Sequence, residues 1–526
     1  MINIFFFKKG KRIIILPYLN DRLMKLFSAA QIRHCDEQTI RERNIPSHEL
    51  MENAAKACLR WLSEQFSRRQ SFVVVCGMGN NGGDGLALAR LLIQEGYPAS
   101  ALVLRYAEQF SPDASLNLKR LHQLSPDSIA ILNESDDFLG ISEDVIIVDA
   151  IFGTGINRPI QGWVGDFITM INGLPNRKIA IDMPSGLPAD TLPAADGIVF
   201  KVEDTLSFQF LKRSLLHAEG AAFSGSVHIL DIGLSAHFIA VTPSIYQVID
   251  ERMLRSIYRS RPVAGHKGTF GNAVLAGGSY GMIGAIALAV RAALRVGTGK
   301  VYVQAPACGY PILQTLCCEA MFQKAGDDFI EKIQLPENGV LGIGPGMGQA
   351  ALTKRALVQL LRQSKQPLIL DADALNIIAA NAEELMDQIP AGSVLTPHPG
   401  EFQRLFGSSV NSMEMVEKAR NMAMKLNVII VLKGHHTTIL PPDGSCFYNV
   451  TGNSGLAKGG SGDVLTGMVT GLMAQGYSVG DAAVMGVWLH GTAADFAARD
   501  KSMEAMTAND VIDYLGMAFK KVQENV

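Results

Sequence analysis

Three stretches of the chain put hydrogen-bonding and acid–base side chains at the ends of apolar runs. SFVVVC (71–76) is followed by Gly77-Met78-Gly79-Asn80-Asn81-Gly82-Gly83-Asp84-Gly85. The first six residues match G-x-G-x-x-G, which after a strand and before a helix sets a phosphate against backbone N–H groups. A turn alone needs neither two amides nor a carboxylate, so Asn80, Asn81 and Asp84 point to hydrogen bonding or hard oxygen ligation. VIIVDAIFGTGINRP (145–159) places Asp149 at the end of a second run, before a Gly-Thr-Gly turn and Arg158. IAIDMPSGL (179–187) places Asp182 at the end of a third, before Pro184, Ser185 and Gly186. A lone carboxylate at a strand end often caps the next helix; three polar strand ends on one sheet edge describe a site. A nicotinamide dehydrogenase fits less well. The acidic residue expected about 20 residues past the glycines to hold ribose has no convincing candidate, and Arg105 and Glu108 stand there instead.

A second set lies further on. Thr451 to Gly467 reads TGNSGLAKGGSGDVLTG, and Val464, Leu465, Met468, Val469 and Leu472 follow at helical spacing. A glycine-rich loop therefore runs into a helix with Asp463 in its first turn. Free N–H groups and the positive helix end make an anion hole for a phosphoryl group in transfer. Asp463 is placed to take a proton from an attacking hydroxyl; the bland alternative is a helix cap. The absence of a Gly-Lys-Ser/Thr ending excludes a Walker loop. GIGPGMG (342–348), LDADALN (370–376), LTPHPGEF (395–402) and LKGHHT (432–437) supply Asp371, Asp373, Asn376, His398, Glu401, Lys433, His435 and His436 at strand ends. Capping is again the alternative for Asp371 and Asp373. Zinc at the His pair is disfavoured, because adjacent side chains point apart and no third ligand is suitably spaced.

These residues need strands and helices to position them. Ser28-Ala-Ala-Gln31 has the form of a capping box opening a helix to about Glu42. A second helix is expected from about His48 to Phe66, a glycine-rich turn over 77–85, and a third helix from Leu86 to about Glu95. Strands are expected at 71–76, 101–104, 145–148, 178–181 and 227–232, and the alternation argues for a Rossmann-like, doubly wound parallel sheet. The pattern breaks over 241–261 and a second α/β unit begins, with strands expected at 299–304, 339–343, 367–371, 393–396 and 428–433 and helices at 283–296, 350–363, 463–474 and 480–499. Domains are set at 24–245 and 246–526, preceded by an extension, 1–23. That extension places FFF before its basic cluster and lacks the order of a signal peptide; translation is expected to start at Met24.

At 526 residues two domains are the natural division. Hydrophobic residues at 48% and charged residues at 18% describe a globular protein, and a net charge of −3 provides no basic excess for nucleic acid. The seven cysteines form no CxxC pair and no zinc spacing, and read as reduced core thiols of a cytoplasmic protein. No apolar stretch of about 20 residues suggests a membrane span.

GMGNNGGDG, VDAIFGTG and AIDMPSG resemble the N-terminal epimerase domain of the NAD(P)H-hydrate repair enzymes, over roughly Leu26 to Leu234. HKGTFGNAVLAGG, GPGMG, LDADALN, TPHPGE, LKGHHT and GGSGD resemble the ribokinase-like, ADP-dependent dehydratase domain of the same family, from about His266 onward. The resemblance implies that the first domain interconverts the R and S forms of cofactor hydrated at C6 of the nicotinamide ring (NADHX and NADPHX). It implies that the second dehydrates the S form with ADP and Mg2+, giving NAD(P)H, AMP and phosphate. Asn80, Asn81, Gly82, Gly83 and Asp84 would then contact the first substrate. Gly153, Thr154, Gly155, Ile156, Asn157, Arg158 and Pro159 would hold its phosphates, Asp182 would lie at the reacting ring, and Asn81, Asp149 and Ser185 would ligate K+. In the second domain Ala273, Gly346, His398 and Asp463 would contact the hydrate, with Asp463 as base. Lys433, Gly434, His435, His436, Thr437 and Gly462 would bind the nucleotide. A homotetramer is also implied. The rivals are a ribokinase-like vitamin-precursor kinase joined to a dinucleotide-binding domain, and a non-catalytic N-terminal binding module.

Overall fold

A computed structural model describes residues 13–14, 24–138, 140–156 and 158–523 of the chain. It divides into two compact units, Met1–Ser244 and Ile245–Val526. The proposed extension lies outside the described residues except for Ile13–Ile14, which pairs in parallel with Val227 and His228.

The first unit is a parallel sheet in the order 13–14, 226–230, 204–208, 178–181, 146–150, 72–76, 99–104, 129–132. The strand Phe72–Cys76 lies centrally. The chain moves out on one side through Ala99–Leu104 and Ile129–Leu132, then returns to its other side at Ile146–Ala150. That reversal leaves a crevice at the carboxyl ends of 72–76 and 146–150, where open α/β sheets bind ligands. Burial on both faces explains the runs FVVVC and IIVDA, since helices cover the sheet. One cover is Ser47–Gln65, which turns Leu50, Ala54, Ala57, Cys58, Trp61 and Leu62 inward. The helix Ala29–Arg43 carries the capping box: Ser28 accepts from the Gln31 amide and Gln31 accepts from the Ser28 amide.

The expected turn over 77–85 is in fact largely helix. Asn80–Gln94 starts six residues before Leu86. The glycines serve close packing within the first helical turns. A Cβ on Gly82 would stand 1.9 Å from the Gly77 carbonyl oxygen, and one on Gly85 2.5 Å from the Ala150 Cβ. Strands 129–132 and 204–208 lacked a sequence signal strong enough to place them.

The second unit orders its strands 321–324, 300–305, 272–276, 340–343, 368–370, 394–395 and 429–432 in parallel. Thr438–Leu440 and Cys446–Asn449 then continue antiparallel, and Tyr246–Ile249 joins the latter in parallel. The broken pattern near residue 250 thus hides a strand and a short helix, Glu251–Ile257. Chain order reverses between 272–276 and 340–343, giving a second crevice. The helix Ser461–Ala474 is buried almost all round and lies against Ile283–Arg295. Small residues permit this: a Cβ on Gly467 would stand 2.0 Å from the Ala289 carbonyl oxygen.

None of the seven cysteines forms a disulfide, and Cys35, Cys58, Cys76, Cys317 and Cys446 are buried. Among the described residues no helix is long and apolar enough to cross a membrane.

Candidate active sites

In the first crevice Asp149 ends its strand fully buried. Its Oδ1 accepts from the Ser185 hydroxyl at 2.6 Å and the Ile151 amide at 3.2 Å, and its Oδ2 from the Ser185 amide at 2.7 Å. Burial pushes its carboxyl up to about 7, against the lowering effect of those hydrogen bonds. The Phe152 amide donates to Ser185 Oγ at 2.8 Å, tying two strand ends together. Asp182 follows the next strand in a left-handed conformation, φ +64°. Its Oδ2 accepts from the Thr154 amide at 3.0 Å, and its Oδ1 receives the Lys212 ammonium at 2.6 Å.

Gly153 sits where these groups meet. A Cβ there would lie 2.9 Å from Asp182 Oδ2 and 3.2 Å from Asn81 Oδ1. Asn81 Nδ2 is buried without a hydrogen-bond partner. Gly79 caps the 80–94 helix without a side-chain bond, so the N–H groups of its first turn face the crevice mouth unassisted. The crevice therefore joins Asn80, Asn81, Gly82, Asp149, Gly153, Thr154, Asp182 and Ser185. Asp84 is one turn into the same helix, and burial, then Asp182, Asp36 and Asp113, push its carboxyl well above the usual range. Burial and then Asp182 likewise push Asp36 to about 7, opposed by Lys212. Arg158 and Pro159 are exposed beyond the turn, and Asn157 lies outside the described residues. Lys212 and Asp36 had not been singled out from the sequence. Their only signals were a lysine inside the apolar run FQFL-Lys212 and an aspartate on an amphipathic helix.

In the second crevice the loop Gly452–Asn453 is pinned by Asp495, which accepts from the Gly452 amide and the Asn453 side chain at 3.0 Å each. Lys458 donates to the carbonyls of Met503, Glu504 and Met506, so it braces the loop. Gly460, at φ +94°, is the N-cap of the 461–474 helix and makes no side-chain bond. Asp463 stands in the first turn, so the capping alternative for it fails. Burial and then the charge of Asp371 push its carboxyl up to about 7; Lys433 opposes this, while Asp373 and Glu401 add to it.

Asp371 is the N-cap of Ala372–Ala380 but does not cap it with its side chain. Its Oδ1 takes the Lys433 ammonium at 2.9 Å and its Oδ2 the Thr466 hydroxyl at 2.7 Å. Burial works against its ionisation, but the Lys433 charge and these bonds outweigh it and hold the carboxyl low. A Cβ on Gly462 would lie 3.2 Å from Lys433 Nζ, so the lysine stands directly over the glycine loop. Gly346 turns at φ +60°, Asp373 Oδ2 accepts from the Gly348 amide at 2.9 Å, and His398 Nδ1 accepts from the Gly400 and Glu401 amides as a capping box. Gly434 and His435 are exposed at the tip of the next turn, with His436 and Thr437 half-buried behind them.

Two expectations need correcting. Ala273 is fully buried near the amino end of its strand, paired with Val301 and Val340 on either side. The site lies at the opposite strand end, where Ala276 and Gly277 emerge, so Ala273 is not brought to it. His435 and His436 do not point apart: their ring centroids are 4.4 Å from each other. Among the described residues no three His, Cys, Asp or Glu side chains converge to hold a metal.

A doubly wound unit with a carboxylate crevice, followed by a ribokinase-like unit whose glycine loop runs into a helix beneath a lysine, defines a two-domain α/β enzyme. Residues 47–214 match the family described as YjeF-related protein N-terminus, and residues 273–516 the family described as NAD(P)H-hydrate dehydratase. The bifunctional NAD(P)H-hydrate repair enzyme of Moorella thermoacetica is 36% identical over 525 residues, covering 96% of this chain and 98% of that protein. That of Escherichia coli K12 is 32% identical over 493 residues, covering 93% and 92%. A solved ADP/ATP-dependent NAD(P)H-hydrate dehydratase from Bacillus subtilis, co-crystallised with ATP/Mg2+, is 34% identical with a TM-score of 0.46, covering 52% of this chain and 98% of that one. The chain belongs to the family of bifunctional NAD(P)H-hydrate repair enzymes, and joins an isomerase unit to a lyase unit.

Proposed function

We propose that the N-terminal unit exchanges the R and S forms of NADHX and NADPHX, with Asp182 as its acid–base group, and that the C-terminal unit dehydrates the S form at the expense of ADP. Hydroxide is a poor leaving group and phosphate a far better one. The C6 hydroxyl attacks the β-phosphorus of ADP, Asp463 takes its proton, and AMP departs. The C6–O bond then breaks with its electron pair going to phosphate, and loss of a C5 proton restores the double bond of NAD(P)H. The observation that carries this reading is the juxtaposition of Gly462, Lys433 and Asp463: open backbone amides, a cation over them, and a carboxyl held near 7 beside them. Gly346 and His398 would face the hydrate, and Lys433, Gly434, His435, His436, Thr437 and Gly462 the nucleotide.

Mg2+ fits as a companion of the nucleotide, since it is commonly held by substrate phosphates with one or two carboxylates. It would neutralise phosphate charge. K+ fits the first crevice on its donors. Asn81, Asp149 and Ser185 offer oxygen, and Asp149 is a buried carboxyl that accepts from neutral donors, the Ser185 hydroxyl and amide and the Ile151 amide. A monovalent cation there would offset its charge and fix the 149–156 turn. A cytoplasmic homotetramer belongs to the same reading, with sedimentation as its test.

The purified chain, given mixed R and S hydrates with ADP, should return all of the reduced nicotinamide absorbance. Asp182→Asn should stop at about the S fraction, because it loses exchange and keeps dehydration. Asp463→Asn should lose dehydration by about 10²–10⁴-fold and keep exchange. Full recovery by Asp182→Asn, or a stable phosphorylated product in place of NAD(P)H, would overturn the assignment.

A further inference from the structure

Lys212 has no exposed side-chain surface. Its ammonium has three N–H bonds, and three acceptors take them: Asp182 Oδ1 at 2.6 Å, Ser207 Oγ at 3.0 Å and the Phe208 carbonyl at 3.1 Å. It has neither surface nor spare donor for a substrate. The chain brings it there by a left-handed residue, Gln209 at φ +54°, whose Oε1 accepts from the Ile232 amide at 3.1 Å. Asp182, at the end of the adjoining parallel strand, is also left-handed. Two non-glycine residues in that region are strained, and such strain collects where a geometry is needed. The effect is specific. With Oδ1 on Lys212 and Oδ2 on the Thr154 amide, the carboxylate plane is fixed and only Oδ2 faces Gly153 and Asn81.

We infer that Lys212 is a positioning residue of the exchange reaction: it acts only through Asp182, holding that carboxylate in one orientation with Oδ2 as its single proton-exchanging oxygen. This rests on the reading of Asp182 as the epimerase acid–base group. All three Lys212 N–H bonds go to protein acceptors and none of its side chain is exposed, so it reaches no substrate directly.

The test is a double-mutant cycle in the full chain, following R-to-S exchange, with dehydration of pure S hydrate as an internal control. Lys212→Met should lower kcat for exchange about 10²-fold with KM changed less than about threefold, as expected for a misaligned catalytic group. Lys212→Arg should recover part of that loss. Asp182→Asn/Lys212→Met should exchange at the same rate as Asp182→Asn alone. Thermal unfolding distinguishes collapse from misalignment. If Lys212→Met does not fold, the double variant, which leaves no unpaired buried charge, and Lys212→Arg still decide. Wild-type exchange in Lys212→Met, or a Lys212→Arg as slow as the double variant, overturns the inference, as does a further loss on adding Lys212→Met to Asp182→Asn. Wild-type exchange in Asp182→Asn overturns the underlying reading as well, a result distinct from an inactive Asp182→Asn beside an active Lys212→Met.

Discussion

Replacing Asp373 by asparagine should move the acid limb of dehydration to lower pH without abolishing the reaction. Asp463 is pushed up to about 7 by burial and by Asp371, with Asp373 and Glu401 adding to the effect and Lys433 opposing it. A base must be ionised to accept the hydroxyl proton. With a midpoint of about 7, roughly one tenth of molecules carry ionised Asp463 at pH 6 and roughly nine tenths at pH 8, so kcat/KM should rise about tenfold between them. A carboxylate of ordinary acidity, about 3.9, would give a flat profile over that range. Asparagine at 373 keeps an acceptor for the Gly348 amide, which now lies 2.9 Å from Asp373 Oδ2, and removes one negative charge. As a secondary contributor, Asp373 should account for roughly half a pH unit, or about threefold more activity at pH 6. The assay is the appearance of reduced nicotinamide from pure S hydrate at constant ADP. A limb belonging to ionisation of the nucleotide would not respond to this substitution. A profile already flat between pH 6 and 8, or a limb unmoved in Asp373→Asn, would refute the reasoning. Stability has a definite sign too. The folded chain binds this proton more tightly than the unfolded chain, so the stabilisation is complete below about 4 and is lost as pH rises through about 7. Asp463→Asn should flatten that fall in calorimetry.

Potassium should raise the melting temperature of the N-terminal unit more at pH 8 than at pH 6 when compared with lithium at equal ionic strength. Burial pushes Asp149 to about 7, so its charge, the reason for a cation there, develops only across that interval. An equal response at both pH values would contradict the site. Gly467→Ala should destabilise the C-terminal unit. The new Cβ would meet a backbone oxygen at 2.0 Å, and overpacking of about 1–3 kcal/mol should outweigh the roughly 1 kcal/mol gained in helix propensity. A urea midpoint at or above that of the parent would show that the 283–295 and 461–474 helices do not need that contact.

The sequence made one part of each site readable and hid its partner. Asp149, Asp182 and Asp463 were visible because an apolar run or a glycine loop ends on them, and several polar ends on one sheet edge, unlike a lone capping carboxylate, describe a site. Lys212 was not visible, because its pairing with Asp182 depends on strand 204–208 lying beside 178–181, and that strand carries too mixed a pattern, DTLSF, to announce itself. The same holds for Thr466, which reads as an ordinary helical residue until the 461–474 helix is laid against Asp371. Asn80 to Gly85 misled in the other direction: glycine density suggests a loop, yet tight packing against Gly77 and Ala150 makes it the start of a helix. Ala273 failed for a simpler reason. It lies inside the HKGTFGNAVLAGG stretch, but the polarity of the strand puts it at the end away from the crevice.

Each crevice sets a lysine, fully buried for Lys212 and half-buried for Lys433, among several carboxyl groups, but the two distribute the charge oppositely. In the C-terminal unit Lys433 is spent on Asp371, and the unpaired Asp463 is left near 7, where a carboxyl can take up and give back a proton at neutral pH. In the N-terminal unit Lys212 is spent on Asp182 itself, and the surrounding Asp36, Asp84 and Asp149 are the groups pushed upward. The difference suits the two tasks. Phosphoryl transfer needs a base that is protonated in every turnover and then recovers. On the proposed role of Asp182, exchange would need a carboxylate held in one place, so orientation would matter more than a raised affinity for the proton. The raised neighbours give the first crevice acidic groups whose ionisation burial suppresses, and the proposed K+ would relieve that at Asp149. On that proposal, occupancy by a monovalent cation and charge on Asp149 would depend on each other, and Lys212 could not substitute for the cation without giving up its ion pair with Asp182.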